Sequence, residues 1–309
     1  MTDTTHNSDH TEPVPDGGWF FGDDRTGSTE NELRSPAVAG GFYAGSADSL
    51  RDQLEWCFDH ELGPGTPRRE PSGPTPIAIV TPHAGYQFSG PIAAHSFARL
   101  AAGDEAETVV ILGPNHRKRG PAVSVASHDR WRTPLGSLPV DRGLASTIVE
   151  RSTLATFDSR AHREEHSIEV QLPLLQYVLA DVSIVPVCLA LSDESPAERL
   201  GETIAASIAA VDRPTSIAIS TDLTHYSDHE TAVDADEPIV DAIRSLDSGA
   251  IADAARSGHT MCGPWATVAG LVAARRLGAD EGERLQYATS GQTGGEPERV
   301  VGYCAAAVR

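Results

Sequence analysis

The chain has 309 residues, of which 39% are hydrophobic and 22% are charged, and its formal net charge at pH 7 is −20. This composition is typical of a globular protein, and no apolar run approaches the roughly 20 residues that a membrane-spanning helix needs. An acidic surface repels nucleic-acid phosphates, so we expect neither a nucleic-acid partner nor a membrane partner. The amino terminus lacks the basic start and the hydrophobic stretch of a secretory signal, which predicts a cytoplasmic protein.

The basic residues are almost all arginine, because Lys118 is the single lysine among the 24 basic residues. A strongly acidic surface that is poor in lysine stays hydrated in concentrated salt, where charges are screened over about 3 Å at 1 M. The composition therefore predicts an acidic protein of the halophilic type from a high-salt cytoplasm. An acidic protein of an ordinary mesophile is the alternative.

The first predicted segment is a tail. Residues 1–33 mix Asp, Thr, Ser, Gly and Pro without periodicity, which predicts a disordered acidic tail before a single α/β domain at residues 34–309. Ser46 is suited to cap the first helix, and the apolar residues that follow it share one helical face: Leu50, Leu54, Cys57 and Phe58.

A Pro/Gly-rich stretch at residues 63–76 predicts a surface loop, and after it short β-branched runs alternate with helical patterns. Strands are predicted at residues 77–80, 109–112, 182–187, 217–219, 285–288 and 300–307. Helices are predicted at residues 91–102, 144–151, 167–179, 197–211, 237–247, 249–256 and 264–277. This alternation, with strands that are apolar on both faces, predicts a mainly parallel or mixed central sheet covered by helices on both faces.

Polar side chains follow three of the predicted strands. His83 and His116 come directly after two strands, and Asp222 and His225 follow a third. Ligands of open α/β sheets bind outside the carboxyl ends of the strands, so we expect these residues to converge there. Cys262 precedes a predicted helix, whose amino terminus favours a thiolate.

Imidazole and thiolate together suit iron, copper or zinc, whereas magnesium and calcium prefer oxygen. Two histidines and one cysteine would leave a coordination position open. Asp222 and His225 are candidates to orient a ligand or to move protons, and His166 and Glu169 are further candidates for the same cleft.

Each of these residues also has an ordinary interpretation. A single histidine beside a strand more often satisfies a hydrogen bond than a metal, and a single loop cysteine is more often inert. An Asp and a His three residues apart can simply cap a helix. The remaining cysteines lie far apart in predicted helix or strand and are interpreted as reduced structural thiols: Cys57, Cys188 and Cys304.

Taken together, the segments resemble the successive motifs of the Memo family, also known as the B component of the AmmeMemoRadiSam system. The resemblance covers the chain from about Arg34 to the carboxyl end. Its segments are RSPAVAGGFY, TPHAGYQFSG, ILGPNHRKRG, TPLGSLPVD, EEHSIEVQLPLL, STDLTHY, MCGPWA and YATSGQ followed by VVGY.

The resemblance implies a fold similar to that of class III extradiol dioxygenases, which are non-haem iron enzymes. It implies that His83, His116 and Cys262 form the metal site, with Asp222 and His225 beside it, and that the metal is iron or copper. Extradiol dioxygenases have a carboxylate where the family has cysteine, and a softer thiolate shifts the preference toward copper or zinc. Ring cleavage is therefore not implied by the fold.

The sequence is compatible with three functions. The first is a metal-dependent oxidoreductase in which His225, Asp222 or His166 handles protons. The second is a non-catalytic protein that binds a small molecule or peptide and acts through AmmeMemoRadiSam partner proteins. The third is zinc-dependent hydrolysis with Asp222 or Glu169 as the base. The motifs specify neither the metal, nor the substrate, nor the oligomeric state.

Overall fold

The structure, a computed structural model, describes residues 33–67, 73–103 and 106–309. The tail predicted at residues 1–33 lies outside the described residues except for Leu33, which begins a short strand. In the described part of the loop predicted at residues 63–76 there is neither helix nor strand. No helix in the described ranges is long and apolar enough to cross a membrane.

Helices and strands alternate along the chain. The helices are α1 (Ala47–Asp59), α2 (Tyr86–Ala101), α3 (Arg142–Arg151), α4 (Gln171–Val178), α5 (Glu194–Ile208), α6 (His229–Arg244), α7 (Ser248–Arg256), α8 (Pro264–Arg276) and α9 (Ser290–Thr293). The strands are β1 (Leu33–Arg34), β2 (Ala78–Thr81), β3 (Thr108–Pro114), β4 (Val123–Ala126), β5 (Arg130–Thr133), β6 (Gly136–Pro139), β7 (Ala155–Asp158), β8 (Ser183–Leu189), β9 (Thr215–Ser220), β10 (His225–Ser227), β11 (Gly282–Thr289) and β12 (Val300–Val308).

The main sheet is mixed, as predicted. Its strand order is β10-β12-β2-β9-β3-β8-β4-β7, and β11 pairs with β12 off this path. The four central strands β2, β9, β3 and β8 run parallel to one another. Strand β12 is antiparallel to β2, and β4 is antiparallel to β8. Strands β1, β5 and β6 form a separate small sheet.

The sheet has a hydrophobic core on each face because its central strands are buried on both sides. In β3, Val110 and Leu112 belong to the core that includes residues of α3, α5, α6, α7 and α8. Val109 and Ile111, which alternate with them, belong to the core that includes residues of α1, α2 and α4. Side chains on a strand alternate between faces, so one apolar run supplies both cores. This arrangement confirms the predicted fold class.

Two helices begin at least one full turn earlier than predicted. Helix α2 begins at Tyr86 and α6 at His229, and each contains a proline, Pro91 or Pro238, inside the helix. The sequence favours a start near a proline, because proline is tolerated in the first helical turn and disrupts later ones. In α6 the Asp228 side chain accepts a hydrogen bond from the first turn and overrides that preference.

Candidate metal centre

The site lies at the carboxyl edge of the parallel strands. His83, Asp222 and His116 each stand two residues beyond the end of β2, β9 and β3, and these strands are adjacent in the sheet. Cys262 reaches the same edge from the loop before α8. One ligand atom each from His83, His116 and Cys262 lies within 4.8 Å of the other two. Residues that are far apart in sequence therefore form one cluster.

The proton on the buried His83 ring is placed by its neighbours. Nδ1 of His83 lies 2.7 Å from Oγ of Ser220, and this hydroxyl donates to the carbonyl oxygen of Ser167 at 2.7 Å. The Ser220 oxygen also accepts a hydrogen bond from Nε2 of Gln171 at 3.0 Å. Since a hydroxyl has only one proton to donate, Nδ1 of His83 must be the donor. Its Nε2 then keeps a lone pair, which faces the Cys262 sulfur at 3.0 Å.

The Gln171 amide has only one orientation that satisfies its contacts. Its Nε2 donates to the carbonyl oxygen of Pro82 at 3.0 Å, and its Oε1 accepts from the Thr81 hydroxyl at 3.1 Å. A flipped amide would place oxygen against carbonyl oxygen. Gln171 therefore secures the hydroxyl that orients His83.

His116 is held by a buried carboxylate that the sequence analysis did not select. Oε1 of Glu165 accepts from Nδ1 of His116 at 2.8 Å, and Oε2 accepts from the His116 backbone N–H at 2.7 Å. Burial alone would raise the pKa of Glu165, but the hydrogen bonds from His116 and the Ser167 N–H lower it to about 2. Glu165 is therefore ionised, and the Nε2 atom of His116 is left for a metal. The signal for Glu165 was its place directly before His166.

His166 stacks on His116, with ring centroids 4.5 Å apart and planes at 20°. Burial lowers the pKa of His166 to about 4, with the nearby His116 adding to the effect and Glu165 opposing it. The ring is therefore neutral at pH 7. His116, Glu165 and His166 also form a group with metal-ligand spacing. However, Oε1 of Glu165 also accepts from the backbone N–H groups of His166 and Ser167, so this oxygen is fully occupied and the carboxylate positions the loop.

Cys262 does not become a thiolate through the helix terminus alone. Burial and the Asp222 carboxylate raise the pKa of the Cys262 thiol above its ordinary value, although the sulfur accepts the Asp222 backbone N–H at 3.1 Å. The nearest acceptor for the thiol proton is the Nε2 lone pair of His83 at 3.0 Å, and the Asp222 carbonyl oxygen lies at 3.6 Å. A bound cation would have to displace that proton, which makes metal binding release protons.

The donor set fits a metal. Tetrahedral bonds of about 2.0 Å to nitrogen and 2.3 Å to sulfur would separate the two atoms by roughly 3.5 Å. The 3.0 Å between Nε2 of His83 and Sγ of Cys262 is shorter, as expected of a hydrogen bond, so the two atoms would have to separate slightly to hold a metal. Burial, the main cause, and the nearby histidines lower the pKa of His83, which keeps it in the neutral form that a metal requires.

Asp222 and His225 lie beside this cluster. Asp222 accepts the His83 backbone N–H at 2.7 Å, and burial raises its pKa to about 6. Nδ1 of His225 donates to the carbonyl oxygen of Leu223 at 2.7 Å, since a carbonyl only accepts, and this leaves Nε2 free. Charge on His225 contributes to lowering the pKa values of both His83 and Asp222, after the larger effect of burial. Tyr226 follows in a left-handed conformation, at φ 63°.

Glu169 does not face the cleft and is not a catalytic base. Its buried carboxylate forms an ion pair with Arg34 at 2.7 Å and accepts the Tyr43 hydroxyl at 2.7 Å. It also accepts the backbone N–H groups of Ala37 and Val38. Glu169 therefore attaches the segment after β1 to the domain, and no lone pair is left to activate water.

An open cavity of about 640 Å³ reaches two of the three metal-ligand candidates, His116 and Cys262. Lys118 lines it from the loop after β3, and Met261 and Trp265 line it from the loop and first turn of α8. A ligand in this cavity would lie directly beside the cluster.

Comparison with known proteins agrees with this architecture. A family profile described as Memo-like protein matches residues 34–307. A MEMO1 family protein of Methanopyrus kandleri is 47% identical over 279 residues, which cover 89% of this chain and 99% of the relative. A MEMO1 family protein of Methanothermobacter thermautotrophicus is 40% identical over 272 residues, which cover 88% and 98%.

A solved structure shares the fold at much lower sequence similarity. The crystal structure of an uncharacterized Escherichia coli K12 protein aligns with a TM-score of 0.51 and 14% identity, and covers 74% of this chain and 98% of that one. At this identity the likeness concerns the fold alone.

Proposed function

This chain belongs to the Memo-like protein family, and from that premise we propose that it binds a redox-active metal, iron or copper, between His83, His116 and Cys262. We propose further that the bound metal carries out dioxygenase-like or other redox chemistry on a small molecule. The observation that carries the proposal is the orientation of both imidazoles. Each has its Nδ1 proton held by a separate acceptor, Ser220 or Glu165, so that each Nε2 keeps the lone pair that a metal ion requires.

Such preparation is typical of metal-binding histidines, whose second nitrogen usually donates to a carboxylate, a carbonyl or another polar partner. A purely structural histidine needs no such free nitrogen directed at a cysteine sulfur. Imidazole nitrogen with thiolate favours copper or iron over magnesium and calcium. Zinc fits the same donors and is the alternative without redox chemistry.

The bound metal would supply electron transfer and polarisation of a ligand at its open position. The protein would supply the proton handling. His225, through its free Nε2, is the residue we assign to proton exchange. Asp222, with a pKa of about 6, is the buried acid beside it. His166 is neutral at pH 7 and stacks on the His116 ring. It therefore packs beside the metal-ligand candidates and can accept a proton, but it has none to spare as an acid.

The test is metal quantification on protein purified without oxygen. We expect one metal ion per chain in the unmodified protein, and loss of the ion in His83→Ala, His116→Ala and Cys262→Ala. Two controls remove the same residue types elsewhere: His60→Ala at the end of α1 and Cys304→Ala inside β12. Both should keep the metal.

Unchanged metal content in His83→Ala or Cys262→Ala would overturn the proposed site. Zinc alone in protein made in its native host would overturn the redox assignment. A stoichiometric metal with no oxidase signal would favour the non-catalytic binding function over catalysis.

A further inference from the structure

The cavity beside the metal cluster differs in charge from the rest of this acidic protein. Among the described residues that line it, none carries a carboxylate, and Lys118 is the one lysine or arginine. The chain as a whole has 44 acidic and 24 basic residues, and this is its single lysine. An anion that enters the cavity would therefore be attracted by one cation and repelled by no lining carboxylate.

Lys118 differs from the two arginines that flank it. Arg117 donates to the Glu164 carbonyl oxygen at 3.2 Å, and Arg119 pairs with the Glu164 carboxylate at 2.8 Å. Within the described ranges no carboxylate pairs with the Lys118 ammonium. The two arginines therefore bind Glu164 on one side of the loop, while the lysine between them lines the cavity.

The loop around Lys118 is held in a defined conformation. The Asn115 side chain donates to the Arg119 carbonyl oxygen at 2.7 Å, which closes the turn. Lys118 itself has φ 51°, a left-handed conformation that is uncommon for a residue with a side chain. Such conformations carry a cost and concentrate at ligand and functional sites.

We propose that this cavity binds a small molecule that has one carboxylate group on an apolar body, and that it presents this molecule to the metal. The Lys118 ammonium pairs with the carboxylate, and Trp265 and Met261 contact the apolar part. The role of the bound molecule at the metal rests on the proposed function. Its binding in the cavity does not, and is measured separately.

A single charge fits better than a phosphate. Phosphate carries close to two negative charges at neutral pH, and its recognition usually uses several donors or a planar arginine. Here Arg119 pairs with the Glu164 carboxylate and Arg117 donates to the Glu164 carbonyl oxygen, so the Lys118 ammonium is the one cation among the lining residues. The half-buried Trp265 and buried Met261 provide the apolar surface that a phosphate alone would not use.

The experiment is a titration with matched probes in which ligand-observed NMR detects binding. It is carried out at one fixed salt concentration that keeps the protein folded. The probes are phenylacetate, its neutral amide phenylacetamide, and phenyl phosphate. We expect phenylacetate to bind about fivefold or more tightly than phenylacetamide, the advantage that one ion pair of about 1 kcal/mol provides. Lys118→Met should remove this preference, and Lys118→Arg should retain part of it.

Arg117→Met is the matched control, because it removes a neighbouring charge that does not line the cavity, and the preference should remain. Equal binding of acid and amide by the unmodified protein, or an unchanged preference in Lys118→Met, would overturn the proposal. Tighter binding of phenyl phosphate would overturn the choice of carboxylate. Metal content is measured in parallel: an unmodified protein without metal refutes the proposed function, whereas loss of acid preference concerns only the cavity.

Discussion

The Glu165 carboxylate contacts His116 twice, at the ring Nδ1 over 2.8 Å and at the backbone N–H over 2.7 Å. One side chain therefore fixes both the position of the loop after β3 and the proton on the imidazole. Because Nδ1 is already bound, Nε2 is the nitrogen that His116 can offer to a metal.

Replacing Glu165 with glutamine should weaken metal binding about 10-fold to 100-fold, the usual cost of losing the partner of a metal-binding histidine. The measurement is a competition titration with a chelator. Glu164→Gln changes the adjacent, half-exposed carboxylate and should leave metal affinity unchanged. Equal affinity in Glu165→Gln and the unmodified protein would show that His116 needs no such partner.

Ser220→Ala should lower metal affinity about 10-fold, because the Nδ1 proton of His83 loses its acceptor. It should also reduce the free energy of unfolding by about 1–3 kcal/mol, the cost of a buried polar group left without a partner. Ser216→Ala is the control in the same strand, since the Ser216 hydroxyl is also buried and donates to the Pro76 carbonyl oxygen. We expect it to reduce stability while metal affinity stays the same; a matching loss of affinity would contradict the assignment.

Glu169→Gln should reduce the free energy of unfolding by about 3–5 kcal/mol, because it leaves the buried Arg34 guanidinium without its counter-charge. Denaturant unfolding measures this change. Glu55→Gln, at an exposed position of α1, should change it by no more than about 0.5 kcal/mol. Folded Glu169→Gln should keep full metal affinity, and a folded variant that lost only activity would restore Glu169 as a candidate base.

The free energy of unfolding should decrease as the pH is lowered, and part of this decrease should come from His162. Burial, with a smaller contribution from Arg34, lowers the pKa of His162 to about 3 in the folded protein. Between pH 6.5 and 3 the unfolded chain therefore binds a proton that the folded chain does not, so stability is lost as pH falls below 6.5. The loss is at most about 1.4 kcal/mol per pH unit.

His162→Gln should remove the His162 contribution to that slope, as measured by denaturant unfolding at several pH values. His83 and His166, whose pKa values are also lowered by burial, should keep their contributions. Asp222 contributes in the opposite direction, because its raised pKa adds stability as pH falls through 6. Comparing the variant with the unmodified protein cancels this contribution. Equal slopes in the two proteins would show that His162 titrates normally in the fold.

Much of the fold was predictable from local patterns. The six strands predicted from apolar runs are all present, because a strand buried on both faces must be apolar throughout. Other strands, such as β5, were not predicted. In β5 the buried Trp131 and Thr133 alternate with two exposed arginines, so its four residues contain no recognisable apolar run.

The chemical identity of the candidate site came from the sequence, since His83, His116 and Cys262 are the residue types that bind a soft metal and each follows or precedes a recognisable element. Only the tertiary structure showed which partners orient them. Ser220, Gln171 and Glu165 act through hydrogen bonds to residues that are 49 to 137 positions away in the sequence. Glu169 was a candidate for the cleft together with His166, but its carboxylate is buried in an ion pair with Arg34. Periodicity reports which face of an element a residue occupies, whereas the direction of a single hydrogen bond depends on chain segments that meet only after folding.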